Sequence, residues 1–343
     1  MATQPSILHV GQKLTQSAAS HARPLKRRFF LLMGASTLIA SACSSHGQGD
    51  EPAALSATKE ATTKRIQHAF GETDVPVNPV RIVVLGYFTV EAVIALGVEP
   101  IAAPRVIIDN LLHLPPTENE IIDTGAPREP SLEKLATLNP DLILTSRIFT
   151  EANTYPLLSQ IAPTVVFDVD GTIEWQELNR LCAEVLGKEA EAKQLEADYE
   201  AKLQTFKSQL SKDADQIQVS VASFYSERIS VFSRETFIGT ILEAAGLSRP
   251  QRQQEGGTIQ ISLELLNEMD GDVLFVMKPQ SQTELAGDVR AALEKMKTNP
   301  LWNNLKVVQT NQVYEVDTYW FGVGYIAANR VLDDLTQYIV KKR

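Results

Sequence analysis

The sequence predicts an α/β fold of two similar lobes joined by one long helix, with a cleft between the lobes. Three observations carry this. Ser131-Leu132-Glu133-Lys134-Leu135, followed by Asp141-Leu142-Ile143-Leu144, is nearly repeated by Ser262-Leu263-Glu264-Leu265-Leu266, followed by Asp272-Val273-Leu274-Phe275. The spacing from Ser to Asp is the same in both copies. Ser ahead of Leu-Glu-x-Leu suits a helix N-cap, and Glu in the first turn complements the positive end of the helix dipole. The short apolar run after each Asp reads as a buried strand. One exposed Glu is thereby set on each lobe. Secondly, strand-like and helix-like segments alternate, which implies mainly parallel sheets covered on both faces. Thirdly, Ile173 to about Leu210 is helical almost throughout, apart from Gly187. Its second part is rich in Ala, Glu, Lys, Gln and Leu and contains no Pro or Gly, so it would act as a stiff strut.

The elements follow in order. Lys64 to Phe70 reads as a first strand and Pro76-Val77-Asn78-Pro79 as a turn. Arg81 to Leu85 reads as a buried strand, Thr89 to Leu96 as a helix stopped at Gly97, and Pro100 to Ala103 as a strand. The Ser131 helix, the Leu142 strand, a helix over Tyr155 to Ile161 and a strand over Val165 to Phe167 complete the first lobe. The second lobe begins with strands Gln218 to Ser223 and Ile229 to Phe232, then a helix from Phe237 to Ala245 ending at Gly246. The Ser262 repeat, a helix over Leu285 to Met296, strands near Val307 and Val313 and a final helix from about Tyr325 close the chain. The divisions are 64–170, 171–212 and 213–343. About 300 residues in these parts exceed what one core normally covers. Trp302, flanked by Leu301 and Leu305, reads as core.

Ahead of the lobes, no acidic residue precedes Asp50, while Lys13, Arg23, Lys26, Arg27 and Arg28 are basic. An apolar run from Phe29 ends at Ala40-Ser41-Ala42-Cys43. A basic segment, a short apolar core and small residues before a cut describe a secretory signal over 1–42, too short for a stable membrane span. Small residues before Cys43 resemble a bacterial lipobox, so Cys43 is the expected lipidation site, with 43–63 a flexible tether. Arg27-Arg28-Phe29-Phe30-Leu31 resembles a twin-arginine signal but fits an ordinary basic leader equally, and the export route stays open. Without residues 1–42, 27 basic residues face 42 acidic ones, a net charge of −15. Such a body is a poor nucleic-acid binder, since it repels phosphate. Cys182 is then the one remaining thiol, which precludes an internal disulfide or a Cys-based metal site; its apolar helical setting predicts burial.

His68-Ala69-Phe70-Gly71-Glu72-Thr73-Asp74-Val75-Pro76, Asn78-Pro79-Val80-Arg81-Ile82-Val83-Val84-Leu85 and Ala95-Leu96-Gly97-Val98-Glu99-Pro100 resemble the opening of the ferric-siderophore-binding lipoproteins of ABC importers. Ser131 to Leu144, Ile161-Ala162-Pro163-Thr164-Val165, Gly187-Lys188-Glu189, Leu301-Trp302, Val316-Asp317, Trp320 and Val331-Leu332-Asp333-Asp334-Leu335 continue the pattern over roughly 63 to 340. The resemblance implies a helical-backbone periplasmic binding protein: two Rossmann-like lobes, a single connecting helix and a ligand cleft. It implies a ferric siderophore as cargo, with iron present only as part of that chelate and no resident cofactor. It implies a permease with its ATPase subunits as partner, and a monomer. Glu133 and Glu264 match the positions that meet permease Arg residues in that family.

The cargo residues follow from position. A catecholate or carboxylate ferric complex is anionic, so Arg forks would pair with its oxygens. Arg147 follows the Leu142 strand at the carboxyl end, where α/β sheets place ligands. Arg228, between two second-lobe strands, is its counterpart, and Arg105 is a third candidate. Tyr87, Tyr225, Tyr319 and Trp320 sit at strand ends and could pack on a chelator or donate hydrogen bonds. Arg234 and Arg249 read as surface residues. Only His68 and His113 lie in the lobes, and none lies in the second, too few for a bare zinc or manganese carrier or for the usual haem ligand. No Gly-x-Ser-x-Gly elbow, phosphate-binding Gly loop or His-Glu-x-x-His motif occurs, so no catalytic residues are assigned. A cobalamin or haem carrier of the same architecture remains the alternative.

Overall fold

The computed structural model describes residues 62–211, 214–226 and 228–341. The signal segment, Cys43 and most of the tether lie outside these residues. The chain opens with an antiparallel hairpin, β1 (Thr63–His68) and β2 (Gly71–Pro76). It leans on the first lobe through Ala69 N–H donating to the carbonyl of Val166. Then come β3 (Ile82–Val84), α1 (Tyr87–Ala95), β4 (Ala102–Ala103), α2 (Arg105–Ile108), β5 (Ile122–Asp123) and a small hairpin, β6 (Gly125–Ala126) with β7 (Glu129–Pro130). The lobe closes with α3 (Leu132–Leu138), β8 (Leu142–Ser146), α4 (Tyr155–Ser159) and β9 (Thr164–Phe167). Strands β5-β4-β3-β8-β9 form one sheet, parallel throughout. β3 and β8 are buried at every position, as continuous apolar runs in a two-faced parallel sheet must be.

The connecting segment breaks at Gly187 into α5 (Trp175–Leu186) and α6 (Glu189–Gln209). Gly187 adopts φ +67°, a left-handed helix stop that an L side chain resists. Cys182 is fully buried with Leu178 and Val185 in the first-lobe core, while Tyr199, Leu203 and Phe206 of α6 enter the second-lobe core. The strut is thus one long helix, α6, fed by a helix that belongs to the first core.

The second lobe holds β10 (Val219–Tyr225), β11 (Arg228–Phe232), α7 (Phe237–Ala244), β12 (Thr258–Ile261), β13 (Val273–Met277), α8 (Glu284–Lys297), α9 (Pro300–Asn303), α10 (Lys306–Gln309), β14 (Val313–Val316) and α11 (Tyr325–Leu335). Its sheet, β12-β11-β10-β13-β14, is mixed. β13 and β14 run parallel to β10, while β11 pairs antiparallel with both β10 and β12. The gap between Tyr225 and Arg228 is too short for a crossover, so only a hairpin can form there. Trp302 is buried with its ring edge against Phe224.

Each Asp of the repeat does the same work in its lobe. Asp141 accepts the backbone N–H groups of Val80 and Arg81, and Asp272 accepts that of Gln218. In both cases the carboxylate of one strand fixes the entry of its parallel neighbour. The start of the repeat differs between copies. Ser131 caps α3 by accepting from Lys134 N–H. Leu263–Met269 is instead a 3-10 segment with a non-helical Leu265, and the Ser262 side chain makes no cap; its hydroxyl bonds the Glu264 carboxylate. Val307 lies in α10 rather than in a strand. Asp270 accepts the N–H groups of Lys306 and Val307, and that anchor at the helix start outweighs the β-propensity of Val307-Val308. Arg249 is buried rather than on the surface. Its guanidinium donates to the Phe232 carbonyl and to Gln253, and burial drives its pKa down to about 9.

The lobes meet around Glu91, which is fully buried on α1. One carboxylate oxygen accepts the Ala327 N–H at 2.8 Å, and the other meets His113 Nε2 at 3.0 Å and Val323 N–H at 3.4 Å. The start of α11 is thereby tied into the first lobe, while Val331, Leu332 and Leu335 of the same helix pack in the second-lobe core. A Cβ on Gly324 would stand 2.8 Å from Glu91 Oε1, so the approach needs glycine. Among the described residues no helix is long and apolar enough to cross a membrane.

Removing the carboxylate strands two backbone donors and an imidazole in the interior. Glu91→Ala is expected to cost about 3–5 kcal/mol of unfolding free energy. Gly324→Ala, which leaves the carboxylate in place but crowds it, should act in the same direction. Denaturant unfolding checks both. Wild-type midpoints in the two variants would show that the lobes are held together elsewhere.

Candidate functional site

The carboxyl ends of the two sheets face one another across the gap between the lobes. Each parallel strand stops there and releases its chain into a loop. β3 leads through Gly86 into α1, β10 ends at Tyr225, β13 at Met277, and β14 leads to Thr318. These ends line a chamber with about 50 Å³ of enclosed room that opens to solvent. Tyr87 and Asn110 supply the first-lobe wall, and Ser223, Tyr225, Met277, Thr318 and Phe321 are on the facing wall. Leu285, Ala286 and Val289 of α8 complete it. On the other side of Phe321 lies a second, small chamber of about 40 Å³, lined among others by Asp170, Thr172, Glu235 and Thr236.

The mouth is bridged at Asn110. Ser281 Oγ donates to its side-chain oxygen at 3.3 Å, and Thr318 Oγ1 to its carbonyl at 3.3 Å. These are two hydroxyl contacts between lobes, each able to exchange for a bond to cargo. Burial, helped by the Glu91 charge, pushes the Tyr87 hydroxyl well above its ordinary pKa. Burial also raises Tyr225, against the pull of Ser223 and Arg228. Both phenols therefore stay protonated donors at neutral pH.

The residues expected at the site fall into three groups. Tyr87 and Tyr225 line the chamber, and Arg228 stacks its guanidinium 4.5 Å from the centre of the Tyr225 ring. Arg147 stands at the carboxyl end of β8 as expected, but its guanidinium pairs with Asp168 at 3.1 Å and is more than half exposed. Arg105 begins α2 and reaches Glu120 and the Ile121 carbonyl, each at 3.4 Å. Tyr319 and Trp320 serve the fold. Tyr319 Oη and Trp320 Nε1 both donate to Asp334, at 2.6 and 2.7 Å, and Trp320 is fully buried with its ring 4.2 Å from that of Phe275. Burial and the Asp334 hydrogen bond raise the Tyr319 pKa far out of reach.

Asn110, Ser223 and Thr318 were not singled out from the sequence. Asn110 has no strand-end signature, since it lies in the loop after α2. Ser223 and Thr318 could have been found as the polar residues at the carboxyl ends of β10 and β14. Glu133 and Glu264 are both exposed. Ser131 lies beside the carboxyl end of β5, its N–H donating to the Thr124 carbonyl, and Ser262 follows the carboxyl end of β12. Each Glu therefore sits at the rim beyond an edge strand of its own sheet. Among the described residues no three His, Cys, Asp or Glu side chains gather to hold a bare metal ion.

The sequence model of the family described as periplasmic binding protein matches residues 82–319. The chain is similar to a probable siderophore-binding lipoprotein of Bacillus subtilis (strain 168), 31% identical over 328 residues that span 92% of this chain and 98% of the relative. It is 29% identical over 284 residues to the Fe(3+)-citrate-binding protein of the same organism, covering 82% and 85% of the two chains. The structure of Staphylococcus aureus SirA complexed with staphyloferrin B superposes with a TM-score of 0.69 at 28% identity, over 82% of this chain and all of SirA. The triscatecholate siderophore binding protein FeuA of Bacillus subtilis, complexed with ferri-bacillibactin, gives 0.66 at 26% identity, over 80% and 98%.

Proposed function

The chain belongs to the periplasmic binding protein family, and from that premise we propose that it captures a ferric siderophore between its lobes and delivers it to the permease of an ABC importer. It is a binding protein rather than an enzyme. The observation that carries the reading is the chamber at the carboxyl ends of both sheets, walled from each lobe by phenol and hydroxyl donors and apolar side chains. Such a wall suits a chelate with an oxygen-rich centre and an organic rim. Opening at the mouth breaks the Asn110 bonds to Ser281 and Thr318, which cargo oxygens can replace.

Arg228 and Arg147 are the cationic contacts, one from each lobe, with Arg105 further out and Tyr87 and Tyr225 as donors. Glu133 and Glu264 are the docking pair. Exposed carboxylates on two lobes steer and orient a partner without holding the fold, so permease Arg residues can read the lobe separation that cargo sets. The division into a signal over 1–42, a tether over 43–63, a first lobe over 64–170, a connecting segment over 171–212 and a second lobe over 213–343 belongs to the same reading. So do export, anchoring through lipid on Cys43, and action as a monomer.

Three measurements test it. Fluorescence titration of the protein with ferric chelates should saturate, and Arg228→Ala should weaken binding about ten- to a hundredfold, the loss of one charge-assisted bond. Arg147→Ala should weaken it less, because Asp168 already holds that guanidinium. Wild-type affinity in both would remove them from the pocket. The Glu133→Ala, Glu264→Ala double variant should keep cargo affinity and melting temperature while uptake collapses; normal uptake would end the docking role. Cys43→Ala should shift the protein out of the membrane fraction, and undiminished membrane retention would refute lipidation there.

A further inference from the structure

We propose, resting on the reading above, that this cleft selects ferric chelates of near-zero net charge, of the hydroxamate kind, over triply anionic tris-catecholates. The observation is the distribution of charge around the two chambers. Every side chain lining the first chamber is uncharged. The second carries two carboxylates, Asp170 and Glu235, and no cation.

The cations nearby are tied to other groups. Arg147 is paired with Asp168 and Arg105 with Glu120. Lys278, which follows β13 at the chamber edge, bonds Glu315 at 2.6 Å and stands 3.7 Å from Glu294. Arg290 on α8 donates from one terminal nitrogen to the carbonyls of Pro279 and Ser281, and so holds the loop rather than the cargo. Arg228 is the cation stacked directly on a chamber residue. Asp170 and Glu235 are fixed where they are. Asp170 accepts the N–H and hydroxyl of Thr172, and Glu235 accepts the N–H of Gly256.

Iron(III) held by three doubly deprotonated catecholates keeps three negative charges, whereas three singly deprotonated hydroxamates leave none. Entering this cleft strips water from the complex. A triple charge would lose its hydration against a neutral wall and next to two carboxylates, with few cations to replace the water. A neutral complex loses little hydration. It gains phenol and hydroxyl donors to its oxygens, and apolar contact with Met277, Leu285, Val289 and Phe321 for its organic rim.

Competitive titration of the purified protein with ferrichrome, a neutral ferric trihydroxamate, and with ferric enterobactin, a tris-catecholate, decides it. Ferrichrome is expected to bind at least about tenfold more tightly, with a Kd that moves less than about threefold between roughly 50 and 500 mM NaCl. Asp170→Asn with Glu235→Gln should tighten the tris-catecholate at least about threefold and leave ferrichrome unchanged. Equal or tighter tris-catecholate binding overturns the inference while leaving ferric-siderophore capture standing. An unmoved preference in the double variant overturns the role given to the two carboxylates. If neither chelate binds, the inference falls, and titration with ferric citrate then decides whether ferric-chelate capture stands.

Discussion

Because Glu91 leaves α1 with no exposure to water, its two oxygens must find donors inside the molecule, and they find them in both halves of the chain. Ala327 and Val323 come from the start of the last helix, and His113 from the loop that also carries Asn110. A buried carboxylate at a helix N-terminus is held by unpaired backbone N–H groups and by the end of the helix dipole. Here that ordinary device joins the two lobes non-covalently. The cleft lies directly beside it: Tyr87 is one turn from Glu91 on α1 and lines the chamber.

This placement constrains how the lobes can move. Within the second-lobe core Trp175, at the start of α5, packs edge-on against Tyr199, Phe237 and Tyr325, and its indole N–H donates to Thr240. Residues from the connecting helices, α7 and α11 thus share one aromatic cluster. An interface of interlocked rings tolerates small rotations poorly, since separation by even a fraction of an ångström forfeits contact energy. The mouth, by contrast, is closed by the two hydroxyl bonds at Asn110, and hydroxyl bonds exchange for water or ligand at little net cost. Stiffness near Glu91 and weak closure at Asn110 together give a narrow range of lobe separations.

Much of the fold was legible because its signals are local. The repeat located β8 and β13, and the carboxylates of Asp141 and Asp272 explain why an Asp recurs at that spacing. Gly97 and Gly246 marked helix stops correctly, while Gly187, read as an exception within one almost unbroken helix, divides the connecting segment in two. What misled was chemistry decided elsewhere in the chain. Val307 looks like a strand until Asp270 caps the turn it occupies, and Ser262 looks like a cap until Glu264 takes its hydroxyl. Trp320 sits at a strand end, where a ligand residue could be, but Asp334 and Phe275 claim it for the core. Arg147 and Arg105 were found in position, yet their neutralising partners Asp168 and Glu120 gave no sequence signal. Asn110 was invisible for the same reason: its importance comes from Ser281 and Thr318, far away in the chain.

The excess of acid in this protein connects its two surfaces. Residues 43–343 carry a net charge of −15, and the field of such a body repels anions before they reach any pocket. A highly charged chelate would then meet repulsion during approach and again at Asp170 and Glu235. A neutral chelate meets neither, and needs from the protein only hydrogen-bond donors and an apolar wall, which are what the strand ends supply. The same field favours a cationic partner, and Glu133 and Glu264 stand exposed at the rims where such a partner can reach them without touching the chamber. Negative charge outside and an uncharged wall inside are therefore compatible parts of one arrangement. On the proposed reading, docking falls to the surface carboxylates, and retention of cargo to the uncharged wall between the lobes together with Arg228 stacked on Tyr225.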